Sequence, residues 1–249
     1  MGITFVHISE AYQEDLESLS MIADIVKNRD LRDKDDFWER LILDYILSLY
    51  NTISPSDKQL LRTNNERVIK EFIRRKLETD ETFTVKHLLT IELEPQNKHP
   101  KQQGFYDIKI RSSLWSSYFS FECKCLDHTQ ISILEYVYNP NKMKKGKSYE
   151  DGGIYRFLIN KYSTDKKFGG MIGFIQSGDF SQIKNSIFNQ IRGLKLTSDS
   201  KCFGMLQKEG IPETNIPYYF QTNHSRYDIS ENKECEPIKI HHILYDFTN

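Results

Sequence analysis

The sequence predicts one mixed α/β domain behind a helical N-terminal extension, and three features predict it. Up to about residue 80, apolar residues recur at three- and four-residue spacing, as on one face of a helix. From residue 82 the period changes, and runs rich in β-branched and aromatic residues take over. No internal repeat, low-complexity tract or long linker divides the 249 residues, a length that suits one large domain. Residues 1–55 are expected as the helical extension packed on the core, and 56–249 as the main domain.

Residues 10–27 (EAYQEDLESLSMIADIVK) and 35–50 (DDFWERLILDYILSLY) read as helices. Residues 54–78 read as a third long helix, with Ser54 or Ser56 as its N-cap and Pro55 in the first turn. Three strands follow, in ETFTVKHLLTIELE (81–94), GFYDIKIRS (104–112) and YFSFECKCLD (118–127). The short SLWS connection between the last two predicts an antiparallel pair. A flexible basic segment is expected over 139–153, then a helix over 154–163, a strand over 169–178 and a helix over 179–194. Strands are expected over 201–208, 216–226 and 238–247, so the order after the helices is β-β-β-α-β-α-β-β-β.

Composition narrows the function. With 34 basic and 35 acidic residues the net charge is −1, which argues against a histone-like or tail-type nucleic-acid binder and leaves room for a local basic groove. No apolar stretch approaches the roughly 18 residues of a membrane span, and the N-terminus lacks a basic region followed by an apolar run, so no membrane partner is expected. Four cysteines make no disulfide framework in a chain this long, and a reducing cytoplasm is the expected compartment. Cys123 and Cys125 stand one residue apart, unlike zinc-site spacing, and read as small core residues. Neither a phosphate-binding G-x-x-x-x-G-K-[ST] loop nor a G-x-S-x-G elbow is present.

Of five acidic-x-Lys triplets, three lie in polar, loop-like surroundings. The other two, Asp107-Ile-Lys109 and Glu122-Cys-Lys124, lie in the two arms of the expected hairpin. Alternation along a strand puts Glu122 and Lys124 on one face, and Asp107 stands on the neighbouring strand. Two carboxylates with a backbone carbonyl are the hard oxygen ligands that Mg²⁺ prefers. A lysine beside them can orient the attacking water and stabilise a developing oxyanion. A structural ion pair fixing strand register is the alternative reading of the Glu–Lys pair alone.

FYDIKI and FECKCL, in the order helix, strand, Asp strand, Glu-x-Lys strand, helix, strand, resemble the PD-(D/E)xK superfamily of restriction-endonuclease-like nucleases over roughly residues 56–210. No proline precedes the aspartate; Tyr106 stands there. The resemblance implies a mixed central sheet flanked by helices and a Mg²⁺-dependent endonuclease in which Mn²⁺ can substitute. It implies Asp107, Glu122 and the Cys123 carbonyl as metal ligands and Lys124 as the catalytic lysine. Glu66, on the helical stripe of Ile69 and Ile73, is the candidate for the additional helix glutamate found in many members. A competing site would use Glu94 with Asp107 and Lys109.

The closing strands, with the GGIYRF and GMIGFI segments, are similar to nuclease-like proteins of bacterial anti-phage defence. Double-stranded DNA is the implied substrate, with a helicase, another defence subunit or a second copy of the chain as protein partner. Candidate phosphate contacts are Lys142, Lys144, Lys145 and Lys147 of the basic segment, Arg156 of the following helix, and His224 and Arg226 on one strand face. The alternative function is a non-catalytic binding or assembly subunit with the same fold.

Overall fold

Trp38, Ile42, Ile46 and Leu49 follow helical spacing, and they are the buried stripe of α1 (Asp35–Thr52). The computed structural model describes residues 34–96, 105–163, 165–198, 201–206 and 214–249, so the helix expected over 10–27 lies outside the described residues. The long helix expected over 54–78 is two helices, α2 (Pro55–Arg62) and α3 (Glu66–Glu78). Ser54 caps α2 by accepting the Asp57 N–H at 3.1 Å. The break comes from the Asn pair: Asn64 donates back to the Leu60 carbonyl at 2.7 Å, and Asn65 restarts the helix by accepting the Val68 N–H at 3.1 Å. Asparagine side chains compete with the helical backbone and favour caps.

The first half of the strand expected over 81–94 is a π-helical turn (Thr82–Lys86), and only β1 (Leu89–Leu93) is extended. Asp80 accepts the Phe83 N–H at 3.0 Å and so starts a helical turn that buries Phe83 in the core. That capping and burial override the β-branched preference of Thr82, Thr84 and Val85.

β2 (Ile108–Ser112) and β3 (Phe119–Leu126) form the expected antiparallel pair, with Ile108 opposite Phe121. After β3 comes α4 (Gln130–Tyr136), which the periodicity did not reveal; Thr129 caps it. The segment expected to be flexible is a hairpin of β4 (Asn139–Lys144) and β5 (Lys147–Asp151). Its two-residue turn, Lys145-Gly146, takes φ of 51° and 75°, the conformation that such tight hairpins need. The expected helix over 154–163 is the shorter α5 (Gly153–Leu158), followed by left-handed Asn160 and Ser163. Then come β6 (Phe168–Ile175), α6 (Phe180–Gly193), β7 (Lys195–Ser198), β8 (Lys201–Gly204), β9 (Tyr219–Asp228) and β10 (Lys233–Asp246).

The central sheet has six strands in the order β1-β2-β3-β6-β10-β9. β1, β2 and β3 run antiparallel in sequence, β6 joins β3 in parallel, β10 joins β6 in parallel, and β9 closes the edge antiparallel. One face packs Ile108, Phe121, Ile172 and Tyr245 against α1 and α3. The other packs Met171, Ile240 and Leu244 against α5 and α6. β6 lies tight on β3 because Gly170 has no side chain: a Cβ there would meet the Phe121 ring at 2.1 Å. The 56–78 and 179–194 segments therefore flank the sheet as expected, in a mixed α/β arrangement.

α1 shares its core with α3 and the sheet rather than sitting outside it. Trp38 is fully buried and stacks on Trp115 with ring centroids 5.8 Å apart. Trp38→Ala is expected to cost about 3–5 kcal/mol in chemical denaturation. A loss under about 0.5 kcal/mol, the size of a surface substitution, would contradict α1's place in the core.

Candidate functional site

The ladder between β2 and β3 ends at Ile108 and Phe121. At the next position Asp107 places a carboxylate where a main-chain acceptor would stand: its Oδ2 accepts the Cys123 N–H at 2.8 Å. Its own N–H donates to the Phe121 carbonyl at 3.2 Å, so the carboxylate is fixed by β3. Glu122 stands opposite, fully buried in β3 between β2 and β6. Lys124 lies two residues on and on the same face. Its Nζ donates to Glu122 Oε1 at 2.5 Å and to the Cys123 carbonyl at 2.7 Å, and lies 3.9 Å from Asp107 Oδ2. Both sequence-identified carboxylates and the lysine thus meet.

Arg156, expected to face phosphate, is part of this network. Its Nη1 donates to Glu122 Oε1 at 2.5 Å, while Nε and Nη2 grip both oxygens of Asp151 at 2.8 and 2.9 Å. Lys142 joins the same edge, 3.2 Å from Asp151 and 3.5 Å from Glu135. Lys144, Lys145 and Lys147 are exposed around the tip of the β4–β5 hairpin.

His224 and Arg226 do share a strand face, but it is an inner face, and this corrects the expectation that they contact phosphate. His224 is fully buried against Thr222, 2.7 Å from its hydroxyl, and burial pushes its pKa down to about 3. Arg226 is 3% exposed and donates to the Ser163, Lys166 and Glu236 carbonyls, tying β9 to the chain that follows α5.

Lys70 was missed in the sequence. From α3 it donates to Asp107 Oδ1 at 2.8 Å and Glu94 Oε1 at 3.2 Å, and lies 3.5 Å from Glu66 Oε1. Its side chain is 4% exposed. The available signal was its place four residues after Glu66, where helix side chains are neighbours. Glu66 and Glu94 are thereby both brought to Asp107. Lys109 is not: its ammonium lies 4.6 Å over the Tyr118 ring.

The charges respond to burial and to one another. Burial pushes the Glu122 carboxyl up to about 7, against the pull of Lys124 and Arg156 and with the repulsion of Asp107. Asp107 is partly buried, but the Lys124 and Lys70 ammoniums and the Cys123 N–H hold it below the usual carboxylate range. Glu66 is raised, chiefly by burial. Burial opposes the charge on Lys124, yet Glu122 and Asp107 raise its pKa. The Cys123 side chain lies in the core shared with α1 and α3, and burial drives its thiol well above its ordinary value.

Among the described residues, no group of three or more His, Cys, Asp and Glu side chains is arranged to hold a metal ion. The donor set is smaller and mixed. Asp107 Oδ2, Glu122 Oε1 and the Cys123 carbonyl converge on one ammonium. Glu122 Oε2 is buried without a hydrogen-bond partner. Two carboxylates and a carbonyl suit a hard divalent cation that keeps its remaining positions for water and phosphate. The Lys124 ammonium occupies the position that such a cation would take. A separate cleft of about 920 Å³ runs along β1 and β2, lined by Gln96, Tyr106, Lys109, Arg111, Tyr118 and Asp165 among others; Glu122 and Lys124 are not in it. No family model, curated protein or solved structure matches the chain.

Proposed function

We propose that the chain is a Mg²⁺-dependent, restriction-endonuclease-like phosphodiesterase acting on DNA, with a role in bacterial anti-phage defence. The observation that carries the reading is the convergence of Asp107 Oδ2, Glu122 Oε1 and the Cys123 carbonyl on one cation supplied by the same strand. The mixed six-stranded sheet flanked by helices, the coarse arrangement that the resemblance implies, supports the reading.

In this reading Asp107, Glu122 and the Cys123 carbonyl hold the cation, which when bound acidifies water and neutralises phosphate charge. Lys124, displaced from those oxygens, orients the water and stabilises the developing oxyanion. Arg156 keeps Glu122 in place from α5. Lys144, Lys145 and Lys147 offer charge to the phosphate backbone. A second reading, a non-catalytic binding or assembly subunit, is favoured by the pairing of Lys124 with Glu122 and Asp107 and of Glu122 with Arg156, which can serve as a structural ion-pair network.

Incubation with plasmid and linear duplex, with Mg²⁺, with Mn²⁺ and with chelator, separates the two. Cleavage that requires the metal supports the nuclease. Intact DNA in every lane, with duplex still bound, supports the subunit reading.

Metal affinity is expected to rise with pH. Below its pKa of about 7 Glu122 carries a proton that the cation must displace, and above it the carboxylate is ready. Mn²⁺ affinity should therefore climb by up to about tenfold per pH unit below neutrality and level off above it. Calorimetry across this range checks it, and Glu122→Gln should remove the slope. A flat wild-type profile would contradict Glu122 as a ligand.

A further inference from the structure

Asp107 is bridged by two ammonium groups, Lys70 at 2.8 Å from Oδ1 and Lys124 at 3.9 Å from Oδ2. A carboxylate with one cation on each oxygen is the arrangement by which two-metal phosphodiester sites share a ligand, their ions about 3.5–4 Å apart. The two cations differ in how they are held. Lys124 leans on Glu122, which Arg156 also neutralises, so Lys124 can leave without stranding that charge. Lys70 is ringed by Asp107, Glu94 and Glu66 from three separate segments, at 2.8, 3.2 and 3.5 Å. Among the described ion pairs no other ammonium or guanidinium lies within 4.0 Å of Glu66 or Glu94, so moving Lys70 would leave these two carboxylates and Asp107 with Lys124 as the remaining cation beside them.

The structure assigns Lys70 the place of a second divalent cation: its tethered ammonium fills the cation position formed by Glu66, Glu94 and Asp107, and the site takes one metal ion. This deepens the nuclease reading and rests on it for the role of the first cation. Lys70 is thus a positioning residue: it holds Asp107 Oδ1 so that Oδ2 faces the metal position, and it excludes a second ion.

The test counts Mn²⁺ bound per chain by calorimetry, with melting curves, in wild type, Lys70→Met and Lys70→Met/Glu94→Gln. Wild type is expected to bind one ion, Lys70→Met one more, and the double variant to lose the added one. If Lys70→Met folds poorly alone, Mn²⁺ should raise its melting temperature far more than it raises that of wild type or the double variant. Two ions on wild type, or no added ion and no Mn²⁺-specific stabilisation in Lys70→Met, would overturn the assignment. A wild type that binds none while Lys70→Met binds one would sink the nuclease reading and leave the Lys70 assignment standing.

Discussion

Lys124→Ala is expected to lower cleavage by at least about 10²–10³-fold, the usual cost of removing one group that stabilises a developing oxyanion. Mg²⁺ should bind the variant no more weakly than wild type. The Lys124 ammonium occupies the three oxygens that the cation needs, so its removal takes away a competitor. Lys124→Arg should not restore the rate, because a planar guanidinium does not replace a compact point charge on a flexible stem. Measuring rate and calorimetric affinity on one preparation separates this from simple loss of structure. If the Glu–Lys pair were only a register lock, both variants would melt earlier, and neither metal binding nor cleavage would exist to change.

Asp107→Ala is expected to abolish metal binding and cleavage together and to cost about 3–5 kcal/mol of stability, the range for removing one partner of a buried ion pair. The carboxylate is the acceptor for the Cys123 N–H and the nearest anion to Lys70. Its loss strands a main-chain donor and leaves the buried ammonium with only the longer contacts to Glu94 and Glu66. Asp107→Asn keeps an acceptor for Cys123 and should recover part of the stability without recovering cleavage. Denaturant melts beside the activity assay check both. An Asp107→Ala protein as stable as wild type would contradict the bridging role.

The arms of the site were legible because strand alternation is strict. Glu122 and Lys124 sit two apart in an apolar run, and the four-residue SLWS connection leaves few ways to pair the strands. What was not legible came from interactions that sequence spacing does not encode. Lys70 reads as an ordinary helix charge until α3 is laid across the start of β2. The hairpin of β4 and β5 looked like a solvated lysine run, because its signal was only the Lys-Gly turn. His224 and Arg226 were placed on the correct shared face, yet alternation says nothing of which face α5 covers. The π-helical turn at Thr82–Lys86 was hidden by β-branched residues that Asp80 caps into a helix.

In the proposed nuclease, Asp107, Glu122 and the Cys123 carbonyl form a divalent-cation site that Lys124 vacates. Anomalous scattering from crystals grown with Mn²⁺ tests it most directly. One peak is expected, bounded by those three groups at about 2.1 Å, with the Lys124 ammonium moved off them and Lys70 still on Asp107. Saturating Mn²⁺ that leaves no peak there, with Lys124 still on Glu122 and the Cys123 carbonyl, would contradict it.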